Sequence, residues 1–190
     1  MSWKYALLNL VRGNPSDSRK SETILERLEW GMMVVDKFPK SRRHVLLLPN
    51  QIIIEPRDLT LQELPLLRQM RDYAYHLQEL EGPKLIGFHA FPSMHQLHLH
   101  VLDQDLQNVK RRETWNSFTT PFLLSIDWVI SELETHGRLD LDEETYQEYV
   151  KGPIRCYLCQ LVCSNIPKAQ QHLQTHLQTH LNPQAVETNE

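Results

Sequence analysis

Two histidines, His98 and His100, alternate with apolar residues in a segment that opens with Pro92 and closes with Leu102. Side chains of a β-strand point alternately to its two faces, so the spacing predicts one apolar face and one face carrying both imidazoles and Gln96. An imidazole can serve as a nucleophile, as a general acid or base, or as a metal ligand. A half-buried strand with two histidines facing solvent is the alternative interpretation of a lone His-x-His pattern.

A second set of reactive side chains follows further along the chain. Cys156 and Cys159 precede, by twelve residues, the pair His172 and His176, a spacing typical of a tetrahedral Cys2His2 zinc site. Histidines four apart share one helix face, so four ligands can converge on one ion. The sequence therefore predicts one structural zinc ion per chain. His180 continues the same spacing and is an alternative fourth ligand; reduced cysteines beside an unrelated helix are the other interpretation.

Composition limits the class of protein. The chain has 190 residues, a formal net charge of -4 and a sequence pI near 6.2, which excludes a nucleic-acid binder that is basic overall. No apolar run approaches the roughly 18 residues that cross a bilayer, and the first residues lack a signal-peptide layout. We therefore expect a soluble, intracellular protein with no membrane partner. Three cysteines, an odd number close together, indicate a metal site rather than a disulfide framework.

Periodicity and capping signals predict the elements that hold these residues. We expect a helix over residues 1–12, a long helix from the Thr60 capping box to Leu80, another from Thr120 to Gly137, and an acidic one over 140–148. Predicted strands cover residues 24–28, 32–35, 44–49, 85–91 and the histidine segment. Antiparallel strands with helices between them predict an α+β domain.

The same signals suggest how the chain is divided. The α+β domain is expected over residues 1–150, and a small ββα-like zinc finger over 151–181. The polar residues 182–190 are expected to be a disordered acidic tail.

The histidine segment resembles the histidine triad of nucleotide hydrolases and transferases, whose middle histidine attacks phosphorus; the first triad position here is Gln96. A histidine triad domain followed by one Cys2His2 finger is similar to the aprataxin family, which removes AMP from the 5′ end of DNA after abortive ligation. The resemblance is carried by residues 36–44, 89–94, 97–101 and 115–118, and by the finger. It implies a histidine triad fold, in a form lacking the forkhead-associated module of some members.

The resemblance also implies a mechanism. His98 would attack the α-phosphorus of the adenylate, and water would hydrolyse the resulting AMP-histidine without a catalytic metal. His100, His44 and His89 would steer the leaving phosphate or the water. The implied nucleotide contacts are Asp36 at the ribose, Lys40, Ser93 and Met94 in a phosphate cradle, Gln96 at the first triad position, and Leu7 and Met33 beside adenine.

The implied partner is DNA with 5′-adenylated nicks or double-strand ends, with AMP as the product and the nucleus as the compartment. Basic residues interleaved with aromatic ones are typical of DNA contacts, although such clusters are also common on ordinary surfaces and cores. The candidate DNA-binding residues are Trp3, Lys110, Arg111, Arg112, Trp115 and Lys168.

Three other functions remain compatible with the sequence. The first is a triad hydrolase of small nucleotides or phosphoramidates whose finger contacts proteins. The second is a metallohydrolase that uses His98 and His100 as ligands. The third is a non-catalytic zinc-finger DNA-binding protein with an inactive triad strand, an interpretation that Gln96 keeps open.

Overall fold

The computed structural model describes residues 3–13, 24–77 and 84–181, with side chains described through residue 178. The tail predicted over 182–190 and the end of the helix predicted to reach Leu80 lie outside these ranges. Within the described ranges, no helix combines the length and apolarity needed to cross a membrane.

Six antiparallel strands form one sheet. They are β1 (Ile24–Arg27), β2 (Gly31–Val35), β3 (His44–Pro49), β4 (Lys84–His89), β5 (Leu99–Asp103) and β6 (Leu123–Ser125). Their spatial order is β1-β2-β3-β5-β4-β6. The apolar run of β3 pairs with β2 on one side and β5 on the other, which confirms that it is a central strand. An antiparallel sheet with flanking helices confirms the predicted α+β architecture.

Helices flank the sheet and extend beyond it. They are α1 (Ala6–Val11), α2 (Leu64–His76), α3 (Arg112–Thr119), α4 (Ile126–His136), α5 (Glu143–Lys151) and α6 (Ile166–Leu181). Short 3-10 turns cover Trp3–Tyr5, Pro56–Asp58 and Leu61–Glu63. The predicted capping box is present, since the Glu63 carboxylate accepts the Thr60 N–H and the Thr60 hydroxyl accepts the Gln62 N–H.

Two predicted elements differ from those observed, and one observed helix has no counterpart in the prediction. The helix predicted from Thr120 begins at Ile126, because Leu123–Ser125 forms the edge strand β6 and the Ser125 hydroxyl caps the helix. The helix α3 was not predicted. The histidine strand begins at Leu99 and not at Gln96, whose backbone φ of 89° interrupts an extended chain.

The finger also differs in detail. In place of the two strands of a ββα unit, the described backbone has an isolated bridge between Arg155 and Val162, followed by α6. Pro167 lies in the first turn of α6, as predicted.

The two faces of the sheet have different cores. One face packs against α2 and α4, and its buried residues include Met33, Leu47, Leu99, Val101, Leu67 and Val129. The other face carries His44 and His100, because they are offset by one residue from Val45 and Val101 on the first face. Gly87 of β4 lies opposite His100, and a Cβ there would meet the Leu124 carbonyl oxygen at 2.6 Å. A glycine is therefore required for β6 to approach β4.

A further core joins the finger helix to the rest of the molecule. Ile166, Ala169 and Leu173 of α6 are buried against Trp115 and Phe118 of α3. Leu102 of β5 belongs to the same core. The finger therefore shares apolar contacts with the domain that carries the histidines.

Candidate active site

Four histidine rings cluster on the second face of the sheet. His44 opens β3, His89 closes β4, His98 precedes β5, and His100 lies within β5. The ring centroid of His100 lies 4.5 Å from that of His89, 5.0 Å from that of His98 and 5.2 Å from that of His44. His100 is therefore in contact with each of the other three predicted catalytic histidines.

A directed chain of hydrogen bonds fixes where the protons lie on two of these rings. The backbone N–H of Lys40 donates to His44 Nδ1 at 3.2 Å, so the proton of a neutral His44 must be on Nε2. That Nε2–H donates to His100 Nδ1 at 2.9 Å. The remaining proton of a neutral His100 is then on Nε2, which has no hydrogen-bond partner among the described residues. The chain thus ends in a buried N–H donor.

His98 is held in a form suited to nucleophilic attack. Its Nδ1–H donates to the carbonyl oxygen of Gln96 at 2.8 Å, so the lone pair of the neutral ring is on Nε2. The side chain is 5% exposed. A neutral imidazole with a free Nε2 lone pair can attack an electrophilic phosphorus.

Burial keeps all four histidines uncharged near neutral pH. Desolvation lowers the pKa of His44 to about 4 and that of His89 to about 3, with the Asp36 carboxylate partly opposing the shift at His44. Desolvation also lowers the pKa of His98 and, more strongly, that of His100. The site therefore holds several imidazoles close together without mutual charge repulsion.

Phe118 of α3 is a site residue that the sequence did not single out. Its ring makes edge-to-face contacts with His44, His89 and His100, at centroid distances of 5.7, 4.6 and 5.1 Å. The only sequence signal was its place in the segment 115–118 that carries the family resemblance. Phe118 closes the apolar side of the histidine cluster.

Asp36 and Lys40 flank the cluster on the loop before β3. Asp36 is buried; its Oδ1 accepts the Phe38 N–H at 2.7 Å, and its Oδ2 lies 3.6 Å from His44 Nε2. Lys40 is half-buried, and its ammonium group donates to the Phe38 carbonyl. The structure therefore places a carboxylate and a cation beside the imidazoles, and the ribose contact of Asp36 and the phosphate contact of Lys40 stay predictions.

The other predicted nucleotide contacts have mixed outcomes. Ser93 is exposed and Met94 half-buried in the connection between β4 and β5, and Leu7 of α1 packs on the histidine face. The position predicted for Met33 is wrong, because its side chain points into the core on the opposite face, beside Leu47.

The nucleotide contact predicted for Gln96 is also not supported, because its side chain is fully buried. Its side-chain amide donates to the carbonyl oxygens of Pro49 and Gln51, at 3.1 and 2.9 Å. Both of its N–H groups are therefore occupied within the protein.

Most of the predicted DNA-binding residues are accessible. Trp3 is 64% exposed, and the side chains of Lys110, Arg111, Arg112 and Lys168 are also exposed. The DNA contact predicted for Trp115 is wrong, because its side chain is fully buried and its Nε1–H donates to the Arg155 carbonyl at 2.8 Å. It is a core residue that joins α3 to the finger.

The predicted zinc ligands converge. Ligand atoms of Cys156, Cys159, His172 and His176 lie within 4.8 Å of one another. His172 Nε2 lies 3.1 Å from both Cys159 Sγ and His176 Nε2. Two sulfur and two nitrogen donors directed at one point fit tetrahedral zinc. The side chain of His180 lies outside the described part of the structure, so the choice between the two histidines stays a prediction.

A second group of possible ligands, formed by Asp36, His44 and His100, fits a metal less well. Their donor atoms also lie within 4.8 Å of one another. A metal would need the lone pair of His44 Nε2. The Lys40 N–H donates to His44 Nδ1, however, so the proton of the neutral ring occupies Nε2. The hydrogen bond from His44 to His100 accounts for this arrangement.

The sheet, the buried histidine cluster and the converging Cys2His2 ligands define a histidine triad protein with a zinc finger. The family described as "Scavenger mRNA decapping enzyme C-term binding" matches residues 11–114, and the "C2HE / C2H2 / C2HC zinc-binding finger" family matches residues 119–179. The chain belongs to the aprataxin family of these proteins.

Relatives in several organisms support this assignment. Aprataxin from Gallus gallus is 36% identical over 75% of this chain, and aprataxin from Danio rerio is 39% identical over the same share. The chain spans 47% and 46% of the lengths of these two relatives. The aprataxin-like protein of Schizosaccharomyces pombe is 30% identical over 75% of this chain and 69% of its own length.

Solved structures show the same fold. The aprataxin ortholog Hnt3 from Schizosaccharomyces pombe superposes with a TM-score of 0.72 and 22% identity, covering 96% of each chain. A structure of Hnt3 in complex with DNA gives a TM-score of 0.74, again at 22% identity, and covers 96% of this chain and 98% of that one. The match extends over both the histidine domain and the finger.

Proposed function

We propose that this chain is a hydrolase that removes AMP from the 5′ end of adenylated DNA, as part of the repair of single-strand and double-strand breaks. The observation that carries the proposal is His98, a neutral imidazole whose Nδ1–H is bound by the Gln96 carbonyl, so that its lone pair is on Nε2, which makes no hydrogen bond to the described residues. Membership of the aprataxin family supports the choice of substrate. DNA repair in turn assigns the protein to the nucleus.

The first chemical step transfers AMP to the protein. The lone pair of His98 Nε2 forms a bond to the α-phosphorus, and the bond from that phosphorus to the oxygen of the DNA 5′-phosphate breaks. The electron pair leaves with the 5′-phosphate, whose second pKa of about 6 makes it a good leaving group. The ring becomes cationic, and its Nδ1–H remains bonded to the Gln96 carbonyl, which stabilises that charge.

The second step releases AMP. Water attacks the phosphorus, and the bond to His98 Nε2 breaks with its electron pair returning to the ring. One proton of the water stays on the AMP phosphate, the other passes to solvent, and the neutral imidazole is regenerated with its proton on Nδ1. The unpaired Nε2–H of His100 is a donor for a phosphate oxygen, and the Lys40 ammonium group adds positive charge at the rim. No step requires a catalytic metal, since the leaving phosphate needs no strong acid; a zinc ion held by the Cys2His2 ligands would be structural.

The DNA is proposed to approach across the exposed basic residues that begin α3, with Trp3 beside the site. Lys110, Arg111 and Arg112 are exposed although the chain has a net charge of -4, so positive charge is concentrated locally. The structure of Hnt3 in complex with DNA supports this class of partner for the shared fold.

The decisive test uses a 5′-adenylated nicked duplex with a radioactive label in the AMP, incubated without added metal. We expect the wild-type protein to release AMP and to carry a transient label, whereas His98→Ala releases none and carries none. His136→Ala is the matched control, because that ring lies on the exposed surface of α4. Label found on the His98→Ala protein, or AMP release by that variant at the rate of the wild type, would contradict the assignment of His98 as the nucleophile.

A triad hydrolase of small nucleotides is the second candidate, favoured by the match of residues 11–114 to a decapping-enzyme family. Adenosine phosphoramidate separates the two functions, because its amine leaving group must be protonated while the buried histidines are held neutral. We expect adenylated DNA to turn over far faster. Equal rates on the two substrates would favour the small-nucleotide function, and intact DNA binding with no turnover would indicate a binding protein.

A further inference from the structure

Gln96 lies where the triad pattern has its first histidine, and its backbone is unusual. The residue is fully buried, and its φ of 89° lies in the left-handed region, which is disfavoured for any residue with a Cβ. Such a conformation persists only where the surrounding contacts impose it.

The contacts that impose it come from the chain that leaves β3. The Gln96 Nε2 group donates to the carbonyl oxygens of Pro49 and Gln51, at 3.1 and 2.9 Å. The next backbone N–H, that of Leu97, donates to the Ile53 carbonyl at 2.6 Å. The side-chain amide and the following peptide group therefore fix Gln96 from both sides. Its Oε1 has no hydrogen-bond partner among the described residues, so the two N–H bonds are what orient the amide.

This held backbone directs the Gln96 carbonyl at His98 Nδ1, 2.8 Å away. We propose that Gln96 is a positioning residue: its side-chain amide holds a backbone conformation whose carbonyl keeps the proton of His98 on Nδ1, leaving Nε2 free to attack. The inference rests on the proposed role of His98 as the nucleophile, but the NMR measurement in its test does not depend on turnover.

The chemistry of the amide explains why glutamine suits this position. A neutral imidazole has one N–H and could satisfy only one of the two carbonyls, whereas a primary amide has two. An imidazolium would satisfy both but would place a positive charge beside His98. Glutamine donates twice and remains uncharged at every pH.

The experiment measures the tautomer of His98 by nitrogen NMR on protein labelled with ¹⁵N-histidine, with the signal assigned by its loss in His98→Asn. We expect the wild-type ring to carry its proton on Nδ1. Gln96→Glu keeps the size but replaces the NH₂ group, with its two N–H donors, by a carboxylate oxygen that repels the Pro49 and Gln51 carbonyls, so we expect the Nε2–H form to appear. The rate of AMP transfer to His98 in a single turnover should fall at least tenfold.

Gln170→Glu is the matched control. The Gln170 amide also donates to two carbonyl oxygens, those of Leu106 and Val109, at 2.8 and 3.0 Å, but it lies on the finger helix α6. The same chemical change there should lower stability and leave the His98 proton on Nδ1. If Gln96→Glu does not fold, Gln96→Met, which has similar length and no donors, takes its place.

The outcomes separate the two proposals. Wild-type His98 with its proton on Nε2, or a folded Gln96 variant that keeps both the Nδ1–H form and the wild-type rate, would overturn the positioning role. A wild-type Nδ1–H ring that is lost in Gln96→Glu, in a protein that never releases AMP from adenylated DNA, would support the positioning role and refute the proposed substrate.

Discussion

At the scale of single residues, the site depends on where protons lie. The Lys40 N–H sets the proton of His44, His44 sets that of His100, and the Gln96 carbonyl sets that of His98. Each assignment holds only while the rings are neutral, and burial under Phe118 favours that neutral state. The same burial must make the fold sensitive to acid.

We predict that the free energy of unfolding decreases as the pH falls from about 6.5 to about 4. Burial lowers the pKa of His44 from 6.5 to about 4, so over this range the unfolded chain binds a proton that the folded chain does not. Each such histidine contributes a slope of up to about 1.4 kcal/mol per pH unit. Below about pH 4 both states bind this proton, and the contribution of His44 no longer changes.

Urea unfolding of the wild type and of His44→Gln at several pH values checks this prediction. The variant should show a shallower dependence on pH over the same range. Both proteins carry the same finger, so acid release of zinc cancels in the difference. Parallel curves for the two proteins would show that His44 is not held neutral.

At the scale of elements, α3 connects three parts of the molecule. Arg111 and Arg112 are exposed at its N-terminal end, and Phe118 on its buried face contacts the histidine cluster. The Trp115 Nε1–H donates a hydrogen bond to the Arg155 carbonyl of the finger. The Asn116 amide adds bonds to the Val150 and Gly152 carbonyls, just before the finger. The charges at the start of this helix can therefore be changed without touching the histidines.

We predict that Lys110→Ala, Arg111→Ala and Arg112→Ala combined weaken DNA binding and reduce its dependence on salt. Each lost phosphate contact should reduce the slope of log affinity against log salt concentration by about 0.9. Hydrolysis of a small adenylate without DNA should be unchanged. The control is Arg68→Ala, an exposed residue of α2 paired with Glu134, since α2 packs on the sheet face opposite the histidines. Equal salt slopes for the triple variant and the wild type would show that these three residues do not contact the DNA phosphates.

Features set by residues close together in the sequence were predicted, whereas features set by contacts between distant residues were not. The zinc ligands follow from spacing within one finger, and the central strand β3 follows from its apolar run, so both were predicted. The strand β6 can pair with β4 because Gly87 leaves room for its backbone. The position of α3 is fixed by the packing of Trp115 and Phe118 in the shared core. Trp115 shows the limit clearly, because an aromatic residue beside basic ones suits both a DNA contact and a core. The left-handed backbone of Gln96 has no signature in a sequence without glycine there.

At the scale of the whole molecule, the finger helix and the catalytic face share one core. Ile166 and Leu173 of α6 pack with Leu102, Trp115 and Phe118. Zinc held by His172 and His176 would fix the finger helix, so we expect the metal to act on this core as well as on the finger.

We predict that removal of zinc lowers the thermal stability of the whole chain in one cooperative transition and slows hydrolysis of a small adenylate that makes no DNA contact. Chelation followed by calorimetry measures the first effect, and the rate of AMP release from the small adenylate measures the second. Leu173→Ala, which leaves a cavity in the shared core, should reproduce the loss, at about 2–5 kcal/mol. Leu158→Ala, on the exposed surface of the finger, is the control. Unchanged melting after complete zinc removal would mean that the two parts are stable independently.

The shared core also orders events during synthesis on the ribosome. Leu102 and Phe118 leave the ribosome well before Leu173, which completes their packing. Until that helix emerges and binds its metal, the apolar surface beneath the histidines stays open to solvent and to chaperones. We therefore expect the cell's supply of zinc to affect how much newly made protein reaches the folded state.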